Sequence, residues 1–96
     1  MILSQRLQNA YNFNSFVMIK LYQYEDCPYC EKVRRKFAEL GLEYEKIEVD
    51  YMNKPEPVIS TGGTVPVIDD NGMIMNESDD IVAYLEEKYG KGSSHS

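Results

Sequence analysis

Hydrophobic and polar positions along the chain change between the spacing of strands and the spacing of helices. Residues 19–24 mix β-branched and aromatic side chains over the length of a strand, and residues 44–49 do so again. Between them lies an apolar stripe at helical spacing, formed by Cys30, Val33, Phe37 and Leu40. Pro28 suits the first turn of this helix, and Gly41 suits the position just after its last turn. The pattern therefore predicts a right-handed parallel βαβ unit.

The next segment predicts a short helix followed by a hairpin. Two prolines and the Gly62-Gly63 pair leave room for only about one turn of helix, at residues 57–60. Residues 65–68 and 73–75 are strand-like and flank a turn that contains an Asn-Gly pair, which is typical of a β-hairpin.

The last periodic segment predicts a helix that Ser78 caps and Gly90 ends. Its apolar face consists of Ile81, Val82, Leu85 and Tyr89. The predicted fold is therefore α/β, a four-stranded mixed sheet with the element order βαβ, short α, ββα.

Length and composition allow a single domain. The chain has 96 residues, of which 43% are hydrophobic and 27% are charged, as in ordinary globular domains. Residues 1–16 contain no Asp or Glu and are expected to be an N-terminal extension, either disordered or a short helix. Residues 17–90 are the predicted domain, and the Gly/Ser-rich residues 91–96 a flexible tail. Because the core is small, the ligand is expected to bind in a surface groove.

Charge and cysteine content exclude several classes of function. Ten Lys and Arg against 16 Asp and Glu give a formal net charge of −6, which argues against nucleic acid or an anionic membrane as partner. Apolar runs such as residues 16–19 are too short to cross a bilayer, and the N-terminal residues lack the apolar run of a secretory signal. Two cysteines three residues apart indicate redox or metal chemistry in a reducing compartment. We expect a cytoplasmic monomer.

Cys27 and Cys30 flank the start of the first predicted helix, where unpaired N–H groups and the helix dipole favour an anion. A thiolate at Cys27 gains most, so Cys27 is the predicted catalytic nucleophile. Cys30 lies one turn further, on the apolar stripe, and is the predicted resolving thiol. The alternatives are half of a zinc site, which would need His95 and another ligand or a second chain, and a static disulfide. Redox chemistry without a bound metal is the preferred interpretation.

Three motifs in order resemble the glutaredoxins: Cys27-Pro28-Tyr29-Cys30 after a strand, Thr64-Val65-Pro66, and Glu77-Ser78-Asp79 at the start of the last helix. The resemblance spans residues 19–90 and implies a thioredoxin-like fold. The short middle segment and the Glu-Ser pair look more like glutaredoxins whose thioredoxin-like half resembles the N-terminal domain of glutathione transferases. The chain would then be a free-standing version of that half.

The resemblance implies a glutathione site made of Tyr29, Thr64, Val65, Pro66, Glu77, Ser78 and Asp79. In the family the proline is cis and faces the cysteines, and the backbone of the residue before it binds the cysteinyl part of glutathione. The start of the last helix would bind the γ-glutamyl group, its carboxylate through N–H groups and Ser78, its ammonium through Glu77 or Asp79. The alternative is that these residues only cap the helix and that the proline only forms a turn.

Two lysines are candidates for the glycyl carboxylate of glutathione, Lys32 and Lys54, although isolated lysines usually lie in solvent. One departure from the family concerns residues 23–26, where many glutaredoxins carry a basic residue. Here Glu25 and Asp26 precede Cys27, and their charges disfavour a nearby thiolate. Basic residues of the following helix offset part of this, but Arg34 and Arg35 are expected to point elsewhere.

The predicted function is that of a glutathione-dependent thiol-disulfide oxidoreductase. It would act on protein disulfides and glutathionylated proteins, with glutathione as the reducing co-substrate and no prosthetic cofactor. One alternative is a thioredoxin-type reductase that does not use glutathione. Another is a non-catalytic module that holds glutathione or an iron-sulfur cluster through Cys27, which Pro28 disfavours because it resembles the redox-active forms.

Overall fold

The predicted βαβ unit begins the fold and a hairpin with a final helix completes it. A computed structural model describes residues 18–90, so the predicted extension at residues 1–16 and the tail at residues 91–96 lie outside the described residues. The elements are β1 (Ile19–Gln23), α1 (Pro28–Leu40), β2 (Tyr44–Glu48), α2 (Glu56–Ser60), β3 (Val67–Asp70), β4 (Met73–Asn76) and α3 (Ser78–Tyr89).

Within residues 18–90, the strands form one sheet in the order β2-β1-β3-β4. β1 and β2 are parallel, with Ile19 opposite Tyr44 at one end. β3 is antiparallel to both β1 and β4. The predicted four-stranded mixed sheet and the predicted order of elements are therefore confirmed.

Helices cover both faces of this sheet. One apolar cluster joins the strands to α1 and α3, and consists of Ile19, Leu21, Val33, Phe37, Ile68, Ile81 and Leu85. A second cluster involves α2, and consists of Tyr22, Val49, Val58 and Val67. Successive strand residues face opposite sides of a sheet, so Leu21 and Tyr22 belong to different clusters. Because β1 and β4 run in the same direction and each leads into a helix, α1 and α3 begin at the same edge of the sheet.

The ends of α1 agree with the sequence prediction. Pro28 is the first helical residue, where a missing N–H costs nothing. Gly41 follows the helix with φ 69°, a left-handed conformation that glycine adopts without strain. The N–H of Leu42 then donates to the carbonyl of Phe37 at 3.0 Å, which closes the helix end.

The hairpin is shifted relative to the prediction. β3 begins at Val67 rather than at residue 65, since Pro66 has no N–H for the ladder, and it runs on to Asp70. The turn is then only two residues long, and Asn71 and Gly72 both have positive φ, 57° and 96°. This is the conformation that an Asn-Gly pair favours in a two-residue hairpin.

The prediction that Ser78 caps α3 is wrong. The N-cap is Glu77, and Ser78 is the first helical residue. Glu77 has φ 74° and ψ 110°, which is uncommon for a residue with a side chain, and no side chain caps the helix. Ser has a strong statistical preference for the cap position, but here the chain turns into the helix one residue earlier.

A buried carboxylate that sequence reasoning missed ties the hairpin to the end of α3. Asp70 Oδ2 accepts hydrogen bonds from Tyr84 Oη at 2.6 Å, Tyr89 Oη at 2.8 Å and Lys88 Nζ at 3.3 Å. Burial alone would raise the pKa of Asp70, but these hydrogen bonds outweigh burial and lower it. Asp70 is therefore an ionised group of the core, although the sequence places it beside a turn.

Candidate functional site

The two cysteines lie at the start of α1, as predicted. Cys27 is the N-cap, and its Sγ accepts a hydrogen bond from the backbone N–H of Cys30 at 3.2 Å. The N–H of Cys27 donates to the carbonyl of Tyr24 at 3.3 Å, which closes the turn that carries the sulfur. Both cysteines are free thiols. The sulfur of Cys27 therefore occupies the place where a helix favours a negative charge.

Burial separates the two thiols. Cys27 is partly exposed, whereas Cys30 has no exposed surface. Burial, and next the hydrogen bond with Cys27, raise the pKa of the Cys30 thiol to about 12. Cys30 is consequently a neutral thiol at physiological pH and is out of reach of a large substrate until α1 or its neighbours move. This geometry fits the predicted division between an attacking and a resolving sulfur.

A surface groove of about 490 Å³ brings together all seven residues predicted to bind the ligand. Its lining consists of Tyr29, Thr64, Val65, Pro66, Glu77, Ser78 and Asp79. Among the described residues that line it, neither cysteine is found, but Tyr29 lies between them in sequence. The groove thus extends from the start of α1, past the loop before β3, to the start of α3.

One wall of the groove offers unpaired backbone groups. The peptide bond between Val65 and Pro66 is cis, as the resemblance implied. Among the described residues, none forms a hydrogen bond with the N–H or C=O of Val65. A donor and an acceptor on one residue can pair with an extended backbone, as at the edge of a sheet.

The other wall is the start of α3. The first backbone hydrogen bond of this helix runs from the N–H of Ile81 to the carbonyl of Glu77, at 2.9 Å. The N–H groups of the first turn before Ile81 have no side-chain cap, and Ser78 Oγ forms no hydrogen bond with any described residue. Free N–H groups and a hydroxyl at a helix N-terminus form a site for a carboxylate.

The two candidate lysines differ in position. Lys32 Nζ lies 2.5 Å from Asp79 Oδ1, so it is paired with another predicted ligand-binding residue. Lys54 Nζ donates to the carbonyl of Gly63 at 2.9 Å and lies 5.1 Å from the centre of the Tyr51 ring. Lys54 therefore lies beside the segment that leads into the groove, and it stays a candidate.

The charges before Cys27 differ from the expectation. The side chain of Glu25 accepts hydrogen bonds from Gln23 and Lys46, and these lower the pKa of Glu25. Arg34 does not point elsewhere, because its guanidinium contacts this turn, whereas Arg35 pairs with Glu31 at 3.5 Å on the surface. Helical spacing alone does not distinguish the two arginines, so sequence reasoning missed the contact.

Other kinds of site find no counterpart in residues 18–90. Within that range, no group of three or more His, Cys, Asp or Glu side chains could hold a metal ion. None of the helices in the described part of the chain is long and apolar enough to span a membrane.

Comparison with known families gives the chain its place. Residues 21–93 match the family described as the glutathione S-transferase N-terminal domain. The chain belongs to this family. The likeness predicted from the middle segment and from Glu77-Ser78 is therefore confirmed at this level.

Known proteins and structures of the family match most of the chain. Glutathione S-transferase DHAR3, chloroplastic, of Arabidopsis thaliana is 42% identical over 66 residues, which are 67% of this chain and 26% of the relative. A glutathione transferase homologue from Drosophila mojavensis, solved with bound glutathione, matches with a TM-score of 0.69 and 32% identity over 78% of this chain and 36% of its own. Dehydroascorbate reductase of Chlamydomonas reinhardtii matches with a TM-score of 0.70 and 30% identity, over 79% of this chain and 40% of its own.

These matches confirm the thioredoxin-like fold. They also show that the chain spans only 26% of its Arabidopsis relative and at most 40% of these two structures. Residues 21–93, which match the family, include both cysteines and all residues of the groove.

Proposed function

We propose that the protein is a glutathione-dependent thiol-disulfide oxidoreductase of the glutaredoxin type. The observation that carries the proposal is the groove itself. It joins the helix end that bears Cys27 to the unpaired backbone of Val65 and to the uncapped start of α3. Each of these features matches one part of glutathione, a short peptide with a thiol in the middle and a carboxylate at each end.

The binding of glutathione follows from these features. The cysteinyl part of the tripeptide pairs with the N–H and C=O of Val65, which directs its sulfur toward the cysteines. The γ-glutamyl carboxylate accepts from the first N–H groups of α3 and from the Ser78 hydroxyl, and Glu77 pairs with the ammonium. Asp79 adds negative charge but shares it with Lys32. Lys54 is the nearest candidate for the glycyl carboxylate.

The reaction consists of two thiol-disulfide exchanges. The Cys27 thiolate attacks the glutathione sulfur of a glutathionylated protein, so an S–S bond to Cys27 forms and the protein leaves as a thiolate that takes up a proton. A second glutathione, as thiolate, then attacks the glutathione sulfur on Cys27 and releases oxidised glutathione. Overall, the mixed disulfide and one glutathione thiol give the protein thiol and oxidised glutathione, and Cys27 is regenerated.

Cys30 serves a second route for disulfides between or within proteins. After Cys27 has formed a mixed disulfide with the target, Cys30 loses its proton, attacks Cys27 Sγ and releases the target thiol. The 3.2 Å contact between Cys27 Sγ and the Cys30 N–H puts the two residues in one helical turn, so little rearrangement is needed. Two glutathione molecules then reduce the internal disulfide.

The relatives support the use of glutathione. The Drosophila mojavensis homologue was solved with glutathione bound. The Chlamydomonas reinhardtii match is named a dehydroascorbate reductase, and the Arabidopsis relative is named DHAR3. Reduction with glutathione as electron donor is the same class of chemistry as the exchange proposed here. A reducing compartment such as the cytoplasm suits these thiols, and we propose that the protein acts there as a monomer.

Glutathione transfer to an electrophile is the second candidate, because the matched family is named for it. In that reaction the attacking thiolate belongs to glutathione, and Cys27 would only orient or stabilise it. Substitution of Cys27 then lowers activity without abolishing it, since the glutathione site remains.

The test measures turnover of a glutathionylated peptide with glutathione, glutathione reductase and NADPH. We expect Cys27→Ser to abolish turnover, since it removes the attacking sulfur. Cys30→Ser, the matched change one turn along, is expected to lose reduction of a protein disulfide and to keep turnover of the glutathionylated peptide. Turnover by Cys27→Ser, together with conjugation of 1-chloro-2,4-dinitrobenzene, would refute the oxidoreductase and support the transferase.

A further inference from the structure

The guanidinium group of Arg34 forms hydrogen bonds with the turn that carries Cys27. Arg34 Nη1 donates to the carbonyl of Tyr24 at 3.4 Å, and Nη2 donates to the carbonyl of Glu25 at 3.2 Å. The Tyr24 carbonyl also accepts the N–H of Cys27, at 3.3 Å. Arg34 and the backbone of Cys27 are therefore joined through a single oxygen atom. A planar guanidinium with two donors fixes this geometry better than a single ammonium could.

Gln23 extends this contact to the neighbouring strand. Its side chain has no exposed surface, and its Oε1 accepts from Arg34 Nη1. Its Nε2 donates to Glu25 Oε1 at 3.2 Å and to Glu48 Oε1 at 3.1 Å. Glu48 Oε2 in turn accepts the backbone N–H of Glu25, also at 3.1 Å. Buried polar groups in such a network are costly to leave unpaired, and removal of Arg34 takes a donor from Gln23 Oε1 and from the carbonyls of Tyr24 and Glu25.

The same network changes the charge near Cys27. The carboxylate of Glu25 is held by Gln23 and by Lys46, at 3.4 Å, and so is turned to β2. Arg34 adds a positive charge beside the turn, and this charge by itself lowers the pKa of Cys30 and of Glu25. Other charged or titratable groups near this turn are Asp26 within it, Cys30 in α1, Glu48 in β2 and Asp50 after β2.

We propose that Arg34 is a positioning residue for the Cys27 thiolate: it fixes the turn that holds the sulfur at the start of α1 and keeps the Glu25 carboxylate directed to β2. Arg34 is not among the residues that line the groove. The inference rests on the proposed function only for the identity of Cys27 as the attacking sulfur. It adds a residue whose positive charge and hydrogen bonds offset the acidic residues before Cys27, so that a thiolate can form there.

The test uses the Cys30→Ser background, in which Cys27 is the single cysteine of the chain. The rate of alkylation by iodoacetamide is measured from pH 5 to pH 10, with the melting temperature of each variant. We expect Arg34→Met to move the midpoint of the pH profile up by about one unit, which slows alkylation at pH 6 about tenfold. Arg35→Met is the matched control, because Arg35 is the next residue and pairs only on the surface. Its profile should coincide with that of the parent.

Each outcome decides the matter. An Arg34→Met variant that melts earlier but has the parent's pH profile would overturn the proposal and leave Arg34 a structural residue. If Arg34→Met does not fold, Arg34→Lys replaces it: a midpoint above that of the parent and of the Arg35→Met control supports the proposal, and an unchanged midpoint overturns it. The assay contains no glutathione, so a protein that fails to use glutathione yet shows the Arg34 shift would refute the proposed function alone.

Discussion

The substitution Ser78→Ala tests whether the Ser78 hydroxyl binds a ligand or caps α3. Were Ser78 the cap of α3, its loss would cost about 1 kcal/mol of stability, or about 4 to 8 °C in melting temperature for a domain of this size. In the structure Ser78 is the first residue of the helix and its hydroxyl bonds to no described residue. Alanine is a good helix former at such a position, so the melting temperature should fall by less than about 4 °C.

The effect on glutathione should be much larger. A hydrogen bond to a charged group contributes about 1.5 to 3 kcal/mol, and in the proposed complex the hydroxyl donates to the γ-glutamyl carboxylate. We therefore expect the KM for a glutathionylated peptide to rise by about 10- to 150-fold, with little change in kcat. The change is confined to KM because this contact is the same in the bound substrate and in the transition state.

Two controls accompany the measurement. Ser60→Ala removes a hydroxyl that bonds to the Pro57 carbonyl at 3.3 Å on α2, away from the groove, and should leave KM unchanged. A disulfide that lacks the γ-glutamyl group should be reduced equally by the parent and by Ser78→Ala. An unchanged KM for the glutathionylated peptide with a melting temperature about 5 °C lower would instead show that Ser78 acts as a cap and does not bind the ligand.

The remaining predictions concern the thiols and the buried carboxylate. Limiting iodoacetamide at pH 6 should label Cys27, since Cys30 is buried with a pKa raised to about 12. Peptide mapping identifies the labelled residue, and an adduct mainly on Cys30 would make Cys30 the attacking thiol. Asp70→Asn should lower stability by about 2 kcal/mol at pH 7, measured by urea unfolding, with exposed Asp80→Asn as the control. The folded-state pKa of Asp70 is lowered, so its contribution to stability is present above the pKa of an unfolded Asp and is lost as pH falls through the folded-state pKa. The stabilities of the parent and of Asp70→Asn should therefore converge in acid. Equal stability of the two at pH 7 would contradict this prediction.

Much of the fold followed from local patterns in the sequence. The stripe from Cys30 to Leu40 and the Pro28 and Gly41 boundaries predicted α1 because helical spacing and end signals are local properties. The Asn-Gly pair predicted the hairpin for the same reason, although the strand before it begins two residues later than expected. The groove depended on the family resemblance, which put three distant motifs together.

What could not be predicted depends on contacts between distant segments. Asp70 follows a strand and precedes a turn, and nothing near it in sequence shows that two tyrosines of α3 will bury it. Arg34 and Arg35 are adjacent on one helix, and only the packing of α1 against the sheet decides which of them meets the turn. Glu77 has a positive φ that no residue-type preference indicates. Strain of this kind is common at ligand sites, which agrees with its place in the groove.

The groove also resolves a conflict between net charge and ligand. The chain carries a formal charge of −6, whereas the proposed ligand, glutathione, and the proposed attacking group, a Cys27 thiolate, are both anions. Yet α1 and α3 begin at the same edge of the sheet, and residues of the first turn of each, Tyr29 and Ser78, line one groove. Each helix start carries a positive partial charge that acts mainly within one turn and is weakened less by salt where water is excluded. Two such ends thus provide local attraction for two anions, one the sulfur and the other a carboxylate, while the net negative charge of the chain repels larger polyanions.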